Sequence, residues 1–371
     1  MSTPDRLSRL HRLMTEAKLN AVAFVPGPNM VYLTGSDMHL SQDRPLTLII
    51  PADGEAVVIV PTLEAPRFTA LPFPTVAFPY SDDEGFLPAY EAAATRLALS
   101  NGARIGVEGL RMRVLEGQLL ARFMPGATVF SADEVLAPLR LHKTPDEIAA
   151  MRKAITLSQK ALTATVEQVH VGMTERQIAA LLSRALNDAG SNGDSFGAIV
   201  LSGANSALPH GSPGARKIAE GDLLLFDFGG TANGYPADIT RTFAIGTPDQ
   251  QLADVYATVL AANEAAIRVC KPGVTALDVD RAARQVITDA GYGEYFTHRT
   301  GHGLGVDIHE PPYINGANTQ VLEAGMIFTI EPGIYLPGVG GVRIEDDVLI
   351  TDSGVEVLTT FPKDLQVIGW R

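Results

Sequence analysis

Cysteine is all but missing from this chain: Cys270 is the only one. A single thiol forms no intrachain disulfide and builds no cysteine-based zinc site. Long apolar runs are missing too, and no stretch of about 18 apolar residues predicts a transmembrane helix. Positive charge is in short supply: 29 Lys and Arg against 42 Asp and Glu leave a net charge of −13. Phosphate recognition calls for clustered Lys and Arg, so nucleic acid is excluded as the main partner. The opening segment, MSTPDRLSRLHRLMTEAKLNA, spreads charge through an amphipathic helical pattern and lacks the continuous apolar stretch of a signal peptide. These absences lead to the expectation of a cytoplasmic protein with no membrane partner.

What is present is a globular composition, 46% apolar and 19% charged over 371 residues, a length that suggests two domains. Up to about residue 140, helix and strand signals alternate. NAVAFVPG and NMVYLTG read as short β-rich runs, and LTLIIPADGEAVVIVP reads as a hairpin around Asp53-Gly54. LPAYEAAATRLALSNG reads as a helix ended by Asn-Gly and followed by the strand RIGVEG. This α/β region holds no cluster of catalytic residue types, which suits a supporting or specificity domain. At Thr144 the character changes. Thr144, Pro145 and Glu147 form a capping box with proline at the first helical position, so a long helix starts there. The expected domains are therefore 1–141 and 142–371.

The second of these contains a repeat. GMTERQIAALLSRALNDAG (172–190) and GVTALDVDRAARQVITDAG (273–291) share Gly-x-Thr at the start and Asp-Ala-Gly at the end. Thr174 and Thr275 are the expected N-caps, and Gly190 and Gly291 lie just past the helix ends. Downstream, Gly221 precedes Asp227 by six residues and Gly325 precedes Glu331 by six. Two such halves pack around a pseudo-two-fold axis, with equivalent carboxylates facing each other.

Asp227 ends the apolar strand LLLFDFGG, and a buried carboxylate there needs a partner or a metal. Asp238 follows on the next strand after TANGYP, and the second half repeats the arrangement with Glu331 and Glu345. Four carboxylates in one dry centre repel each other and take up protons unless cations offset them. Two divalent ions supply that charge. His302, on a glycine-bounded loop (RTGHGLGVDIHEPP, 299–312), adds a nitrogen donor. The set Asp227, Asp238, His302, Glu331 and Glu345 suits Mn²⁺ or Co²⁺ better than a thiolate-seeking ion.

FDFGGTANGYPADITRTF, GHGLGVDIHE, TIEPGIY and GVRIEDDVLI, in this order, resemble the pita-bread-fold metallopeptidases, closest to the Xaa-Pro peptidases (aminopeptidase P and prolidase) of peptidase family M24. GPNMVYLTG in the first domain resembles the smaller creatinase-like domain of the same group. The resemblance implies an α/β (α+β) fold: a creatinase-like N-terminal domain, then a pita-bread domain with pseudo-two-fold internal duplication. It makes Asp227 and Asp238 ligands of one ion and Asp238, His302, Glu331 and Glu345 ligands of a second, with Asp238 and Glu345 bridging. It implies two divalent ions per subunit, Mn²⁺ first and Co²⁺ or Zn²⁺ as alternatives. It also implies a homodimer, with His39 and Arg44 as candidates for reaching a partner's site.

The implied reaction is release of the first residue from short peptides with proline second, by hydroxide formed from a water shared between the ions. Glu331 is the expected proton shuttle, and His210 and His309 the groups that bond the carbonyl oxygen. Arg343 either holds one of the carboxylates or meets the far end of the substrate. Phe196, Tyr235 and Tyr313 are expected as apolar walls. Some dipeptide-specific relatives place an arginine after the His-Glu pair, where this chain has Pro311, Pro312 and Tyr313. That favours an aminopeptidase acting on longer peptides over a prolidase. A metal-dependent hydrolase or lyase of small osmolytes stays open. Creatinase itself lacks the metal residues, methionine aminopeptidase lacks the first domain, and a non-enzymatic binding member would have lost ligands that are all present here.

Overall fold

The computed structural model describes residues 3–35, 43–68 and 71–369. His39 lies outside the described residues. The chain divides into two compact units, Met1–Arg140 and Leu141–Arg371. Among the described residues no helix is long and apolar enough to cross a membrane.

The first unit runs α1 (Thr3–Glu16), β1 (Ala21–Phe24), α2 (Pro28–Thr34), β2 (Thr47–Pro51), β3 (Ala56–Pro61), β4 (Thr75–Tyr80), α3 (Leu87–Leu97), β5 (Arg104–Val107), α4 (Val114–Phe123), β6 (Thr128–Ser131), α5 (Asp133–Leu136) and α6 (Pro138–Leu141), the last crossing into the second unit. The six strands form one mixed sheet in the order β4-β3-β2-β1-β5-β6. β2 and β3 form the expected antiparallel hairpin, and Gly54 takes the left-handed conformation at its turn (φ 101°). Arg44 is tied to Asp82 by two hydrogen bonds of 2.7 and 2.8 Å.

Two expectations fail here. NMVYLT is helical (α2), because Pro28 presets the first turn and Gly35 closes it in the left-handed region (φ 71°). α3 stops at Leu97, with Ala98 in the left-handed conformation (φ 46°), ahead of the Asn-Gly pair expected to end it.

In the second unit α7 (Pro145–Val166) opens with the capping box at Thr144. It is followed by α8 (Glu175–Ala189), β7 (Ile199–Ser202), β8 (Leu223–Phe228), the short strands β9 (Thr231–Ala232) and β10 (Tyr235–Pro236), and β11 (Ile239–Ile245). Then come α9 (Gln250–Val269), α10 (Ala276–Asp289), β12 (Gly301–Gly303), β13 (Glu310–Ile314), β14 (Ile327–Ile330), β15 (Gly333–Leu336), β16 (Gly340–Arg343), β17 (Asp346–Ile350), β18 (Val355–Val357) and β19 (Val367–Ile368).

The duplication extends to the hydrogen bonds. Thr174 and Thr275 each close a capping box, and each forms an isolated bridge to the segment before its half's central strand, at Lys217 and Val321. Past the helices, Ser191 N donates to Leu186 O and Tyr292 N to Ile287 O, both at 3.0 Å. Gly221 and Gly325 share the same left-handed turn (φ 88° and 89°). The sheets correspond as well: β8 lies antiparallel between β7 and β11, and β14 lies antiparallel between β12 and β17.

Each half buries its sheet under its own helix pair. Met151, Ile155, Ile178 and Leu182 of α7 and α8 pack with Leu224, Phe226 and Phe243. Val255, Val259, Val279 and Ile287 of α9 and α10 pack with Phe328, Ile330 and Val348. Phe226 and Phe243 meet edge to face at 5.6 Å, and burying each ring contributes roughly 1.5–3 kcal/mol. Because the caps hold these covering helices, Thr174→Ala or Thr275→Ala should each cost about 1 kcal/mol. A thermal melt checks this as a fall of roughly 2–4 °C for a unit of this size.

Candidate active site

The carboxylates come together through strand register. In the β8–β11 pair, Thr240 stands opposite Asp227. Side chains alternate along a strand, so Asp238, two residues before Thr240, projects to the same face as Asp227. In the second half the ladder ends with Ile330 opposite Asp346, and Glu331 and Glu345 stand one residue beyond it on either strand, where Glu331 N donates to Thr300 O at 2.7 Å. Thr240 joins the halves: its hydroxyl donates to Glu345 Oε2 at 2.6 Å, and its carbonyl accepts from Glu345 N at 3.1 Å.

His302 sits in strand β12, not in a loop. Its glycine neighbours answer to strand packing: a Cβ on Gly301 would lie 1.9 Å from Thr329 O, and one on Gly303 would lie 2.2 Å from Pro311 O. The close approach of β12 to β13 and β14 therefore requires bare backbone. His302 Nδ1 faces Gly303 O at 3.2 Å, which puts the proton there and leaves Nε2 as the free donor atom. That Nε2 faces Glu331 Oε1 at 3.3 Å and Asp238 Oδ2 at 3.6 Å. Thr329 Oγ1 fixes both partners, accepting from His302 N at 3.1 Å and donating to Glu331 Oε1 at 3.2 Å.

Asp227, Asp238, His302, Glu331 and Glu345 thus lie around one cavity of about 410 Å³, with Phe196, His210, His309 and Arg343 also in its lining. All five donors are buried except Glu331, which keeps some exposure, while His210 and His309 stand exposed at the rim. The His302 and His309 rings pack at 4.1 Å between centroids. Donor atoms of Asp238, His302 and Glu345 all lie within 4.8 Å of one another.

The electrostatics call for cations. Burial, and then the Glu345 and Asp227 charges, raise Asp238 well above the usual carboxylate range. Burial, and then Glu331 and Asp227, do the same to Glu345. Burial pushes Glu331 up to about 7. Burial, and then His309, hold His302 well below an ordinary histidine. Asp227 Oδ1 is buried without a hydrogen-bond partner. One arginine, Arg343, bonds Asp227 Oδ2 and cannot offset four carboxylates alone. An oxygen-rich donor set with one neutral imidazole nitrogen and an orphaned carboxylate oxygen fits divalent cations.

Arg343 Nη2 donates to Asp227, one of the expected ligands. Its Nη1 donates to Tyr335 Oη at 2.7 Å and its Nε to Thr240 Oγ1 at 3.2 Å. Tyr335 Oη lies 2.8 Å from His298 Nε2, and His298 Nδ1 lies 2.7 Å from Arg299 O. His298 is therefore protonated at Nδ1 and accepts from Tyr335, which accepts from Arg343. Burial keeps both neutral, pushing His298 down to about 3 and Tyr335 up to about 12.

Two expected walls are not among the lining residues. Tyr235 turns away to donate to Glu147 Oε1 at 2.7 Å. Tyr313 lies under Arg299, whose guanidinium carbon is 4.6 Å from the ring centroid. His298, Arg299 and Tyr335 were not among the expected site residues, although Arg299 opens the stretch RTGHGLGVDIHEPP and Tyr335 ends TIEPGIY.

The family model for metallopeptidase family M24 matches residues 149–352, and that for the creatinase/prolidase N-terminal domain matches residues 6–142. The chain belongs to metallopeptidase family M24, with the creatinase-type domain ahead of its pita-bread domain. It is 37% identical to the putative dipeptidase YkvY of Bacillus subtilis over 98% of this chain and 100% of that one. The solved prolidase of Thermococcus sibiricus superposes with a TM-score of 0.94 at 35% identity, covering 99% of this chain and 100% of that one. The solved X-Pro aminopeptidase of Thermotoga maritima gives 0.85 at 32%, covering 97% and 99%.

Proposed function

We propose that this protein is an Xaa-Pro dipeptidase, a prolidase that cleaves dipeptides with proline in the second position. The observation that carries the reading is a small cavity walled by five metal-type donors and three further histidines, in a chain that matches a prolidase from end to end. At about 410 Å³ the cavity is near the lower end of ligand clefts, roughly 300–1,000 Å³, which suits a dipeptide. The aminopeptidase expectation leaned on the lack of an arginine after the His-Glu pair, where Pro311, Pro312 and Tyr313 stand, and the dipeptidases and prolidases among the similar proteins weigh against it.

In this reading Asp227, Asp238, His302, Glu331 and Glu345 hold two divalent ions, with Mn²⁺ first in order of fit. When bound, the ions supply Lewis acidity and lower the pKa of water. A water attacks the carbonyl carbon of the first residue. Glu331 takes the water proton on a carboxylate oxygen and delivers it to the proline nitrogen as the C–N bond breaks, releasing an amino acid and proline. His309 and His210 donate to the carbonyl oxygen as it gains charge. Thr329 keeps Glu331 aimed, and Arg343 with Tyr335 keeps Asp227 turned so that Oδ1 faces the cavity.

Metal-stripped protein reloaded with Mn²⁺ and offered Ala-Pro, Ala-Pro-Ala and Ala-Ala-Ala tests this by product chromatography. Ala-Pro is expected to be cleaved fast and Ala-Pro-Ala poorly. Free alanine mainly from Ala-Pro-Ala would make the protein an aminopeptidase. Cleavage of neither would move it to small-osmolyte chemistry.

A further inference from the structure

The internal repeat is broken at one buried position. Glu175 is the first residue of α8 and is fully buried, and its counterpart at the start of α10 is Ala276. The backbones of the two halves agree at this point. Glu175 N and Arg176 N donate to Arg216 O and Gly214 O, both at 3.1 Å. Ala276 N and Leu277 N donate in the same way to Gln320 O at 3.0 Å and Asn318 O at 2.8 Å. These bonds use N–H groups that the first turn of a helix leaves unpaired. The Glu175 carboxylate is therefore an addition made in the first half alone, and the helix start does not require it.

Its partners show what it holds. Oε1 accepts from Ser202 N at 2.8 Å, Ser202 Oγ at 2.9 Å and Asn205 Nδ2 at 3.1 Å. Oε2 accepts from Gly214 N at 2.9 Å and from Asn205 Nδ2 at 3.3 Å. Ser202 ends β7, and the chain then runs through a short 3₁₀ turn (Gly203–Ala207) and the exposed His210 to Gly214. One side chain thus grips both ends of the segment that carries His210. The middle of the segment is tied to β16, where Gly341 N donates to Ser206 Oγ at 2.8 Å and Arg343 Nη1 reaches Pro209 O at 3.5 Å. A buried carboxylate is costly unless its bonds are kept, so this grip resists displacement of the segment.

We propose that Glu175 is a positioning residue for catalysis: by gripping Ser202 and Gly214 it sets the path of the 202–214 segment, and with it the place where His210 meets the substrate carbonyl oxygen. The inference rests on the reading in which His210 donates to that oxygen. Misplacing a group at the reacting centre by about 1 Å can cost about 100-fold in rate.

The test is a double-mutant cycle on the Mn²⁺-loaded protein: wild type, Glu175→Ala, His210→Ala and the pair, with bound metal and thermal melts measured on the same samples. His210→Ala should lower kcat by roughly 10²- to 10³-fold, the usual cost of losing one donor to the developing oxyanion. Glu175→Ala should lower kcat by roughly 10- to 100-fold, with KM and bound metal little changed. Because Glu175 acts through His210, its loss should lower kcat no further once His210 is gone. Glu175→Gln, which can keep the Ser202 end of the grip, should fall between wild type and Glu175→Ala. Losses that multiply in the double variant overturn the inference and leave His210 in the chemistry. An unchanged kcat in Glu175→Ala also overturns the inference alone, and an unchanged kcat in His210→Ala overturns both. If Glu175→Ala does not fold, Asn205→Ala takes its place in the cycle, with a smaller loss of kcat that again vanishes in the His210→Ala background. No loss in Asn205→Ala, or a loss that persists in that background, contradicts the inference. The cycle is run on whichever of Ala-Pro and Ala-Pro-Ala wild type cleaves, so failure of the dipeptidase reading leaves its result intact.

Discussion

Glu331→Gln is expected to lower kcat on Ala-Pro by roughly 10²- to 10⁴-fold, the usual contribution of a positioned general base. The side chain is well placed for the role. It follows β14 directly, receives a bond from Thr329, and keeps some exposure to the cavity while the other carboxylates are buried. Glutamine preserves the shape and one carbonyl oxygen, yet it cannot accept the water proton. Steady-state kinetics at saturating Mn²⁺, with bound metal measured on the same samples, separates the two roles given to Glu331. Loss of kcat with both ions retained supports the proton role. Near-wild-type kcat removes Glu331 from the chemistry.

Removing metal should destabilise the protein more at neutral than at acid pH. Asp238, Glu345 and Glu331 are all raised above their unfolded values, mainly by burial and next by neighbouring carboxylates for Asp238 and Glu345. The metal-free native state therefore binds more protons than the unfolded chain. The stability these groups contribute is fully present below the ordinary carboxylate range and is lost as pH rises through about 7, where Glu331 titrates. Bound cations remove that loss. At a free ion concentration 100 times Kd, binding one ion adds about 2.7 kcal/mol, or roughly 5–10 °C in Tm for a unit of this size. Thermal melts with and without chelator should nearly coincide at pH 5 and separate by that amount at pH 7.5. Coincident melts at pH 7.5 would contradict the charge argument.

The candidate site was more legible in the sequence than the elements around it. Asp227, Asp238, Glu331 and Glu345 stand at strand ends in two matched halves, and the pairs Gly221/Asp227 and Gly325/Glu331 keep one spacing, so the repeat itself carried the information. Local signals also worked where the chemistry is local, as at the capping boxes of Thr144, Thr174 and Thr275. They misled at NMVYLT, where β-rich side chains outweighed Pro28 and Gly35 in the reading but not in the fold. The bonds from His298 to Tyr335 and from Thr240 to Glu345 join residues 37 and 105 positions apart, and no periodicity reports such pairings. Tyr313 and Tyr235 were misplaced for a related reason. Which face a ring presents depends on register and on neighbours such as Arg299 and Glu147 that composition does not reveal.

The central claim is that these five side chains form one dinuclear metal centre. Anomalous scattering measured at the manganese edge, on crystals of the Mn²⁺-loaded protein, tests it most directly. Two strong peaks in the cavity are expected, with Asp227, Asp238, His302, Glu331 and Glu345 as their protein ligands. A single peak, or peaks that leave Asp227 or Glu331 unliganded, would contradict the account.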